Sequence, residues 1–458
     1  MSNLSEDRIY SGASPDQVEE DLQPLVAFQD EGLSLEELNK LVEERLLPHL
    51  MRYDRATFQS MFNAFPEEGA HLGAKIALTY NQGVTNWQVS PGGAVLEELC
   101  CRALCRLFGL SSGAEGTVMY CGTYANQQAL YIALHRRAEQ CGFNLAEEGV
   151  QGFPDPARLA VVISAEAHFS LKHAVRTLGL GQRSLITVGV DENRRIDVEQ
   201  LRETLEELRR SRDVFCIVVT AGTTSTGSVD PIPPVADICD ELGAWLHVDG
   251  AYGLAYKLVP AWSRLFAGLE RADSASWDPH KQFGVPIPSS LLFLRRSEDF
   301  DRMVLFSSYF NRPDAVEPNP GLKSVPSTRP FTALPLVTSI RHQGLVAVVE
   351  RLRAPLEAIR DLAAYLEDQA DMELCHRPDT GILCFRVIPE GYAEDRLDQL
   401  QQYIYERIMR EGERSISLTQ MDGRTALRLV AISPAVTTEA MIETIEKVRG
   451  IAATEPVI

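Results

Sequence analysis

Between about residues 90 and 300 the chain alternates short β-rich runs with amphipathic helical patterns, and this alternation constrains the fold more than any other feature. The runs are LAVVIS (159–164), SLITVG (184–189), FCIVVT (215–220), AWLHVD (244–249) and SLLFLR (290–295). Helical periodicity lies between most of them, as in VEQLRETLEELRR (198–210). Strands alternating with helices are joined by crossovers, so the region predicts an α/β architecture with a mainly parallel sheet covered on both faces.

The flanking regions read differently. Residues up to about 50 are acidic and polar, then become the helical pattern LSLEELNKLVEERLLPHL, an arm expected to pack on something else. The stretch 311–330 is rich in Pro, Asn and Ser and reads as the clearest linker. Beyond it come a long helical pattern (344–369), strand candidates MELC, GILCFRV, SISLTQ and TALRLV, and helical segments at 394–411 and 437–449. Few strands with flanking helices predict a smaller α+β domain. At ~150 residues per domain the chain accommodates about three units. The expected division is an N-terminal arm and helical segment (1–88), a large domain (89–315) and a small C-terminal domain (316–458).

Composition removes several classes of function. Apolar residues make up 45% and charged residues 24%, which is globular rather than disordered. Acidic side chains outnumber basic ones 64 to 44, and a net charge of -20 repels phosphate backbones, so no nucleic-acid partner is expected. No run reaches the ~18 apolar residues of a membrane helix, and MSNLSEDRIYSG lacks the pattern of a secretory signal. The nine cysteines include no CxxC pair. Cys100, Cys101 and Cys105 lie on an apolar helical pattern, so the reading is reduced, mostly buried thiols of a cytoplasmic protein, with no metal site.

Three segments at strand ends carry chemistry. Gly122-Thr123 opens the helical pattern YANQQALYIALHRRAEQ, and small residues at a helix start leave N–H groups free for a phosphate or serve only as a cap. Asp249 closes the apolar run in HVDGAYG, where a buried carboxylate needs a partner. Lys281, in SASWDPHKQFGVPIPSS, follows another β-rich run; such a lysine is a solvated tip or an amine that attacks carbonyls. Asp249 and Lys281 stand 32 residues apart, each at a strand end. A carboxylate that keeps a pyridine nitrogen protonated, with an amine that forms a Schiff base, is the pairing used by pyridoxal phosphate. His168 in AEAHFSLKHA is placed to stack on the ring, Thr224 in AGTTSTGSVD to hydrogen-bond the cofactor, and His280 to handle protons beside the lysine.

With these residues in place the chain resembles the group II pyridoxal-phosphate-dependent amino-acid decarboxylases, the family acting on glutamate, cysteine sulfinate, diaminobutyrate and aromatic amino acids. The resemblance runs from about residue 55 to the C-terminus. It rests on HFSLKHAVRTLGLG (168–181), AGTTSTGSVDPI (221–232), HVDGAYG (247–253) and SWDPHKQFGVP (276–286), in that order and spacing. It implies a fold of the aspartate aminotransferase class (fold type I), with a seven-stranded large-domain sheet and a homodimer whose site lies at the subunit interface. It makes Lys281 the lysine bonded to the cofactor, Asp249 the partner of the pyridine nitrogen and His168 the stacked ring. Thr224 is implied beside the cofactor, with Gly122, Thr123, Asp278 and His280 at the phosphate end. Tyr309, in SSYF, matches a loop tyrosine that protonates the substrate carbon, and Arg428 an arginine that binds the α-carboxylate.

Phe62, Phe65, Trp87 and Val89 fall in segments that line the substrate pocket in this family. FGVPIPSS and Arg428 lean towards acidic substrates, whereas Ala64, where such members carry a polar side chain, and the aromatic segments suit an aromatic one. The sequence departs from the family at Asp278, where asparagine is frequent, and at 326–341, which lacks a common basic and tryptophan-containing pattern. The implied activity is α-decarboxylation of an L-amino acid to its amine. The alternatives are an aldehyde synthase of the same family, a transaminase and a non-catalytic cofactor-binding protein. Tyr309 argues against the synthase, which tends to carry phenylalanine there; HVDGAYG and WDPHK favour the decarboxylase over the transaminase.

Overall fold

The five β-rich runs become strands of one sheet in the computed structural model, which describes residues 8–307, 311–312 and 317–454. The strands are β1 (Glu115–Met119), β2 (Leu159–Ser164), β3 (Leu185–Val188), β4 (Asp213–Thr220), β5 (Trp245–Asp249), β6 (Ser274–Trp277) and β7 (Ser290–Leu294). Their order across the sheet is β1-β7-β6-β5-β4-β2-β3. The neighbours from β6 through β5, β4 and β2 to β3 are parallel, and β7 runs antiparallel to both β6 and β1. A parallel return from β6 needs a crossover, usually a helix, and the segment between β6 and β7 contains none. The mainly parallel seven-stranded sheet is therefore as expected, with one reversed strand.

Burial explains why the runs are apolar throughout. Every residue of β2, β5, β6 and β7 is buried, as helices cover both faces. On one face the helix Gly122–Gln140 contributes Ala125, Ala129, Ile132 and Ala133 to a core shared with Val161, Val218 and Trp245. The helix Val198–Leu208 starts where Asp197 accepts from the N–H groups of Glu199 and Gln200, which satisfies two of its free donors. The helix Ile232–Leu242 stops at Gly243, whose φ of 64° is left-handed and costs a glycine little. Cys100 and Cys105 are buried, and that burial pushes both thiols up to about 12.

The described residues fall into two compact units. The larger is Ala64–Arg353 with Pro378–Thr380, so it continues through the Pro-rich stretch. The smaller lies within Met1–Asn63, Ala354–Arg377 and Gly381–Ile458. Its strands β8 (Met372–Leu374), β9 (Ile382–Val387), β10 (Ser417–Met421) and β11 (Arg424–Val430) form an antiparallel sheet in the order β10-β11-β9-β8. Leu383, Phe385 and Leu427 pack there with Leu400 and Ile404 of the helix Leu397–Glu411 and Ile445 of the helix Thr438–Ala452. A smaller α+β unit was the expectation for these segments. Among the described residues no helix is long and apolar enough to cross a membrane.

Candidate active site

Strands β1, β2, β4, β5 and β6 all end on the same edge of the large sheet, where open α/β sheets bind ligands. Gly122 follows β1, His168 follows β2, Thr224 follows β4, Asp249 ends β5 and Lys281 follows β6. Residues spread over 160 positions of sequence are gathered by strand direction alone.

Asp249 is buried and accepts three hydrogen bonds: from Asn126 Nδ2 at 2.7 Å, Ser276 Oγ at 3.1 Å and the Ala251 N–H at 3.2 Å. Burial by itself would raise its pKa. His247, Lys281, His168 and the Ala251 N–H outweigh that and hold the carboxyl below its ordinary value. The group is a carboxylate at neutral pH.

Lys281 Nζ lies 3.4 Å from Asp278 Oδ2, and Asp278 also accepts from Ser290 Oγ at 2.5 Å. His280 meets the Ser289 carbonyl through Nδ1, and its Nε2 is 3.8 Å from Asp278. Burial lowers the His280 pKa, partly offset by Asp278. Asp278 therefore sits against the lysine and the start of the Gly122 helix. A Cβ on Gly122 would lie 2.9 Å from Asp278 Oδ2 and 3.1 Å from Ala251, so glycine is what permits this approach. That helix begins after Cys121 without a side-chain cap hydrogen bond.

His168 is half-buried with its ring 4.1 Å from that of Phe169. Its Nδ1 accepts the Ser170 N–H at 3.2 Å, so the neutral ring carries its proton on Nε2. Burial lowers its pKa, and Asp249, Lys281 and Asp278 are all close enough to act on it. Thr224 is half-buried in the loop after β4, which is closed by Thr223–Thr226 and Thr226–Ser228 hydroxyl contacts of 2.7 and 3.1 Å.

Trp87 is in the larger unit, partly exposed, with its backbone N–H on the Pro318 carbonyl. Phe62 and Arg428 are together in the smaller unit, the guanidinium 5.5 Å from the ring centroid. There Arg428 donates to Ser417 Oγ at 2.8 Å and to the Ser60 carbonyl at 3.1 Å. Tyr309 lies outside the described residues.

Sequence reading missed Asn126, Ser276, Ser290 and the buried His247. A signal existed: Asn126 interrupts the apolar face of its helix, and His247 shares the strand face of Asp249 by the two-residue period.

The donor set fits pyridoxal phosphate. A buried carboxylate suits a pyridinium nitrogen, an amine suits an aldehyde, and a helix start without a side-chain cap suits a phosphate. Among the described residues no three His, Cys, Asp or Glu side chains are grouped to hold a metal ion.

The comparisons agree with this chemistry. The chain is 27% identical over 448 residues to an L-2,4-diaminobutyrate decarboxylase of Acinetobacter baumannii, covering 95% of this chain and 87% of that protein. It is 27% identical over 383 residues to an aromatic-L-amino-acid decarboxylase of Bacillus atrophaeus, covering 82% and 77%. The crystal structure of the glutamate decarboxylase domain of a diaminobutyrate-pyruvate transaminase and L-2,4-diaminobutyrate decarboxylase from Vibrio parahaemolyticus superposes with a TM-score of 0.87 at 25% identity. That match covers 97% of this chain and 91% of the other. The sequence model of the pyridoxal-dependent decarboxylase conserved domain matches residues 15–388. Because that match spans well over half of the chain, the chain belongs to the pyridoxal-dependent decarboxylase family and is a pyridoxal-phosphate-dependent amino-acid decarboxylase.

Proposed function

We propose that the enzyme removes the α-carboxylate of an L-amino acid with an acidic or aromatic side chain and releases the amine. The observation that carries this reading is the ionised Asp249, held by three hydrogen bonds on the sheet edge that also holds Lys281. Bound pyridoxal phosphate supplies the sink for the electron pair freed when the bond from Cα to the carboxylate breaks. Asp249 holds a proton at the pyridine nitrogen, which keeps that sink strong. Lys281 would hold the cofactor through its side-chain amine. Gly122, Thr123, Thr224, Asp278 and His280 would hold the cofactor, and His168 would stack on its ring. Arg428 binds the α-carboxylate, with Phe62 and Trp87 lining the side-chain pocket, and Tyr309 returns a proton to Cα. Each role acts on charge that develops during reaction rather than on tight substrate binding.

The same reading includes a cytoplasmic homodimer with the site at the subunit interface. Exposed apolar side chains of the N-terminal region, Phe28 and Leu35 among them, support the pairing. A single-chain mass by light scattering would overturn it.

The decisive assay gives the cofactor-loaded enzyme a panel of L-amino acids and measures carbon dioxide and product under air. The expected result is equal carbon dioxide and amine from an acidic or an aromatic substrate. Aldehyde, ammonia and peroxide as main products would assign the enzyme to the aldehyde synthases instead. Tyr309→Phe should still release carbon dioxide but make less amine, because Cα without its proton donor is open to oxygen. An unchanged amine yield would remove Tyr309 from that role. Borohydride should fix the cofactor to the peptide containing Lys281, and Lys281→Ala should lose the visible absorption of the linked cofactor.

A further inference from the structure

Behind Asp249 lies a row of buried polar side chains that no step above uses. Trp245, His247 and Asp249 are alternate residues of β5 and share one face, with Ser274 and Ser276 of β6 paired beside His247 and Asp249. Asn126 reaches the row from the covering helix. Trp245 Nε1 is 2.7 Å from Ser274 Oγ, which is 2.8 Å from His247 Nδ1. His247 Nε2 is 2.9 Å from Asn126 Oδ1, and Asn126 Nδ2 reaches Asp249 Oδ2 at 2.7 Å and Ser170 Oγ at 3.0 Å. All of these side chains are buried.

The direction of each proton follows from chemistry. A carboxylate only accepts, so the amide of Asn126 must present its NH₂ to Asp249 and its carbonyl to His247. That carbonyl also only accepts, so His247 carries a proton on Nε2. Indole N–H only donates, so Ser274 accepts from Trp245 and has its own O–H free for His247 Nδ1. Burial, partly offset by Asp249 and Ser274, pushes His247 down to about 4, so Nδ1 carries no second proton near neutrality. Every proton in the row therefore points toward Asp249, and a bond in such a chain strengthens the next.

We propose that Asn126 and His247 are positioning residues, which through this one-way relay aim a donor at Asp249 and keep a carboxylate facing the cofactor's ring nitrogen. The inference rests on the proposed pairing of Asp249 with that nitrogen. Neither Asn126 nor His247 has to touch substrate. Losing the Asn126 donor leaves Asp249 with two hydrogen bonds and a stronger hold on a proton, so the proton shared with the ring nitrogen moves toward the carboxylate. A charge-assisted hydrogen bond of this kind corresponds to a roughly 10- to 100-fold loss in cofactor affinity.

The test uses the full chain reconstituted with ¹⁵N-labelled pyridoxal phosphate. The ring-nitrogen shift reports whether that atom is protonated, and titration of cofactor-free protein with pyridoxal phosphate gives affinity. Asp249→Asn should move the shift to that of unprotonated pyridine. If it keeps the wild-type shift, the pairing of Asp249 fails, and the relay with it. If Asp249→Asn moves the shift but Asn126→Ala changes neither shift nor affinity, the relay alone is wrong. The expected result for Asn126→Ala is a shift between the two and affinity reduced at least tenfold. In the Asp249→Asn background Asn126→Ala should add nothing; a full additional loss would make Asn126 merely structural. Should Asn126→Ala fail to fold, His247→Leu and His247→Gln decide the matter. Leucine cannot donate to Asn126 and should reproduce the intermediate shift, whereas the glutamine amide can donate and should restore the wild-type value. Equal behaviour of the two would overturn the proposal.

Discussion

Two buried charges, Arg386 of the smaller unit and Asp249 of the larger, are treated in opposite ways. In the smaller unit Arg386 is almost fully buried and is met by Asp398 at 2.9 Å, Glu394 at 3.4 Å and Glu373 at 3.6 Å. Its charge is cancelled by acids of its own unit, and its Nε is spent on the Thr425 carbonyl at 3.1 Å. In the larger unit Asp249 receives its hydrogen bonds from an amide, a hydroxyl and a backbone N–H, all neutral groups. Hydrogen bonds from neutral donors satisfy the oxygens without cancelling the charge. A charge matched by counter-charges holds structure together, while one solvated by dipoles stays available to a ligand cation.

The largest effect that would sharpen this contrast is on catalysis. Asp249→Asn, assayed with the cofactor in saturating excess, should lose about 10³-fold or more in turnover, because the ring nitrogen would no longer be held protonated. Near-normal turnover would remove the distinction between the two charges.

An intermediate effect appears in acid. His247 has its pKa pushed from 6.5 to about 4, so between those values the unfolded chain binds more protons than the folded one. Stability is then fully present above about pH 6.5 and declines as pH falls toward 4, by on the order of a few kcal/mol. Asp249, also held low, acts in the same direction. Asp230 opposes them: burial pushes it up to about 7 despite hydrogen bonds from the Thr220 and Ile196 N–H groups. Its contribution is lost as pH rises from about 4 to 7. Urea unfolding of cofactor-free protein should therefore show wild type losing more stability on acidification than His247→Gln. Parallel pH curves for the two proteins would refute the assignment.

The smallest effect is expected for the matched charge. Arg386→Met should lower stability by about 1–2 kcal/mol, since the carboxylates of Asp398 and Glu394 are substantially exposed and regain water. Turnover per folded molecule should be unchanged. Thermal unfolding with an activity assay on the same sample measures both, and a large loss of turnover would give Arg386 more than a structural part.

Local pattern made much of the architecture legible. LAVVIS is β2 to the residue, and AWLHVD and SLLFLR differ from β5 and β7 only at one end. The segment EGTVM was not picked out, because Glu, Gly and Thr dilute its apolar signal; it becomes β1 through pairing with β7. Thr117 there turns inward to the buried Glu97 and Arg329, a setting that no local pattern reports.

For the site, the order and spacing of HVDGAYG and SWDPHK identify the residue types that pyridoxal chemistry needs, since covalent and ionic roles allow few substitutes. What surrounds them was decided in three dimensions. Asn126 is 123 positions from Asp249 and becomes its partner only because β1 and β5 end on one edge beneath the same helix. Asp278 gains Lys281 from its own turn, but it meets Ser290 across β6 and β7 and the Gly122 backbone across the sheet edge. By itself the sequence determined strand and helix periodicity and the chemistry-bearing side chains, because both are written in local order. Which neutral donors solvate the buried carboxylate was left to the tertiary structure, because hydrogen bonding depends on distances that sequence separation does not encode.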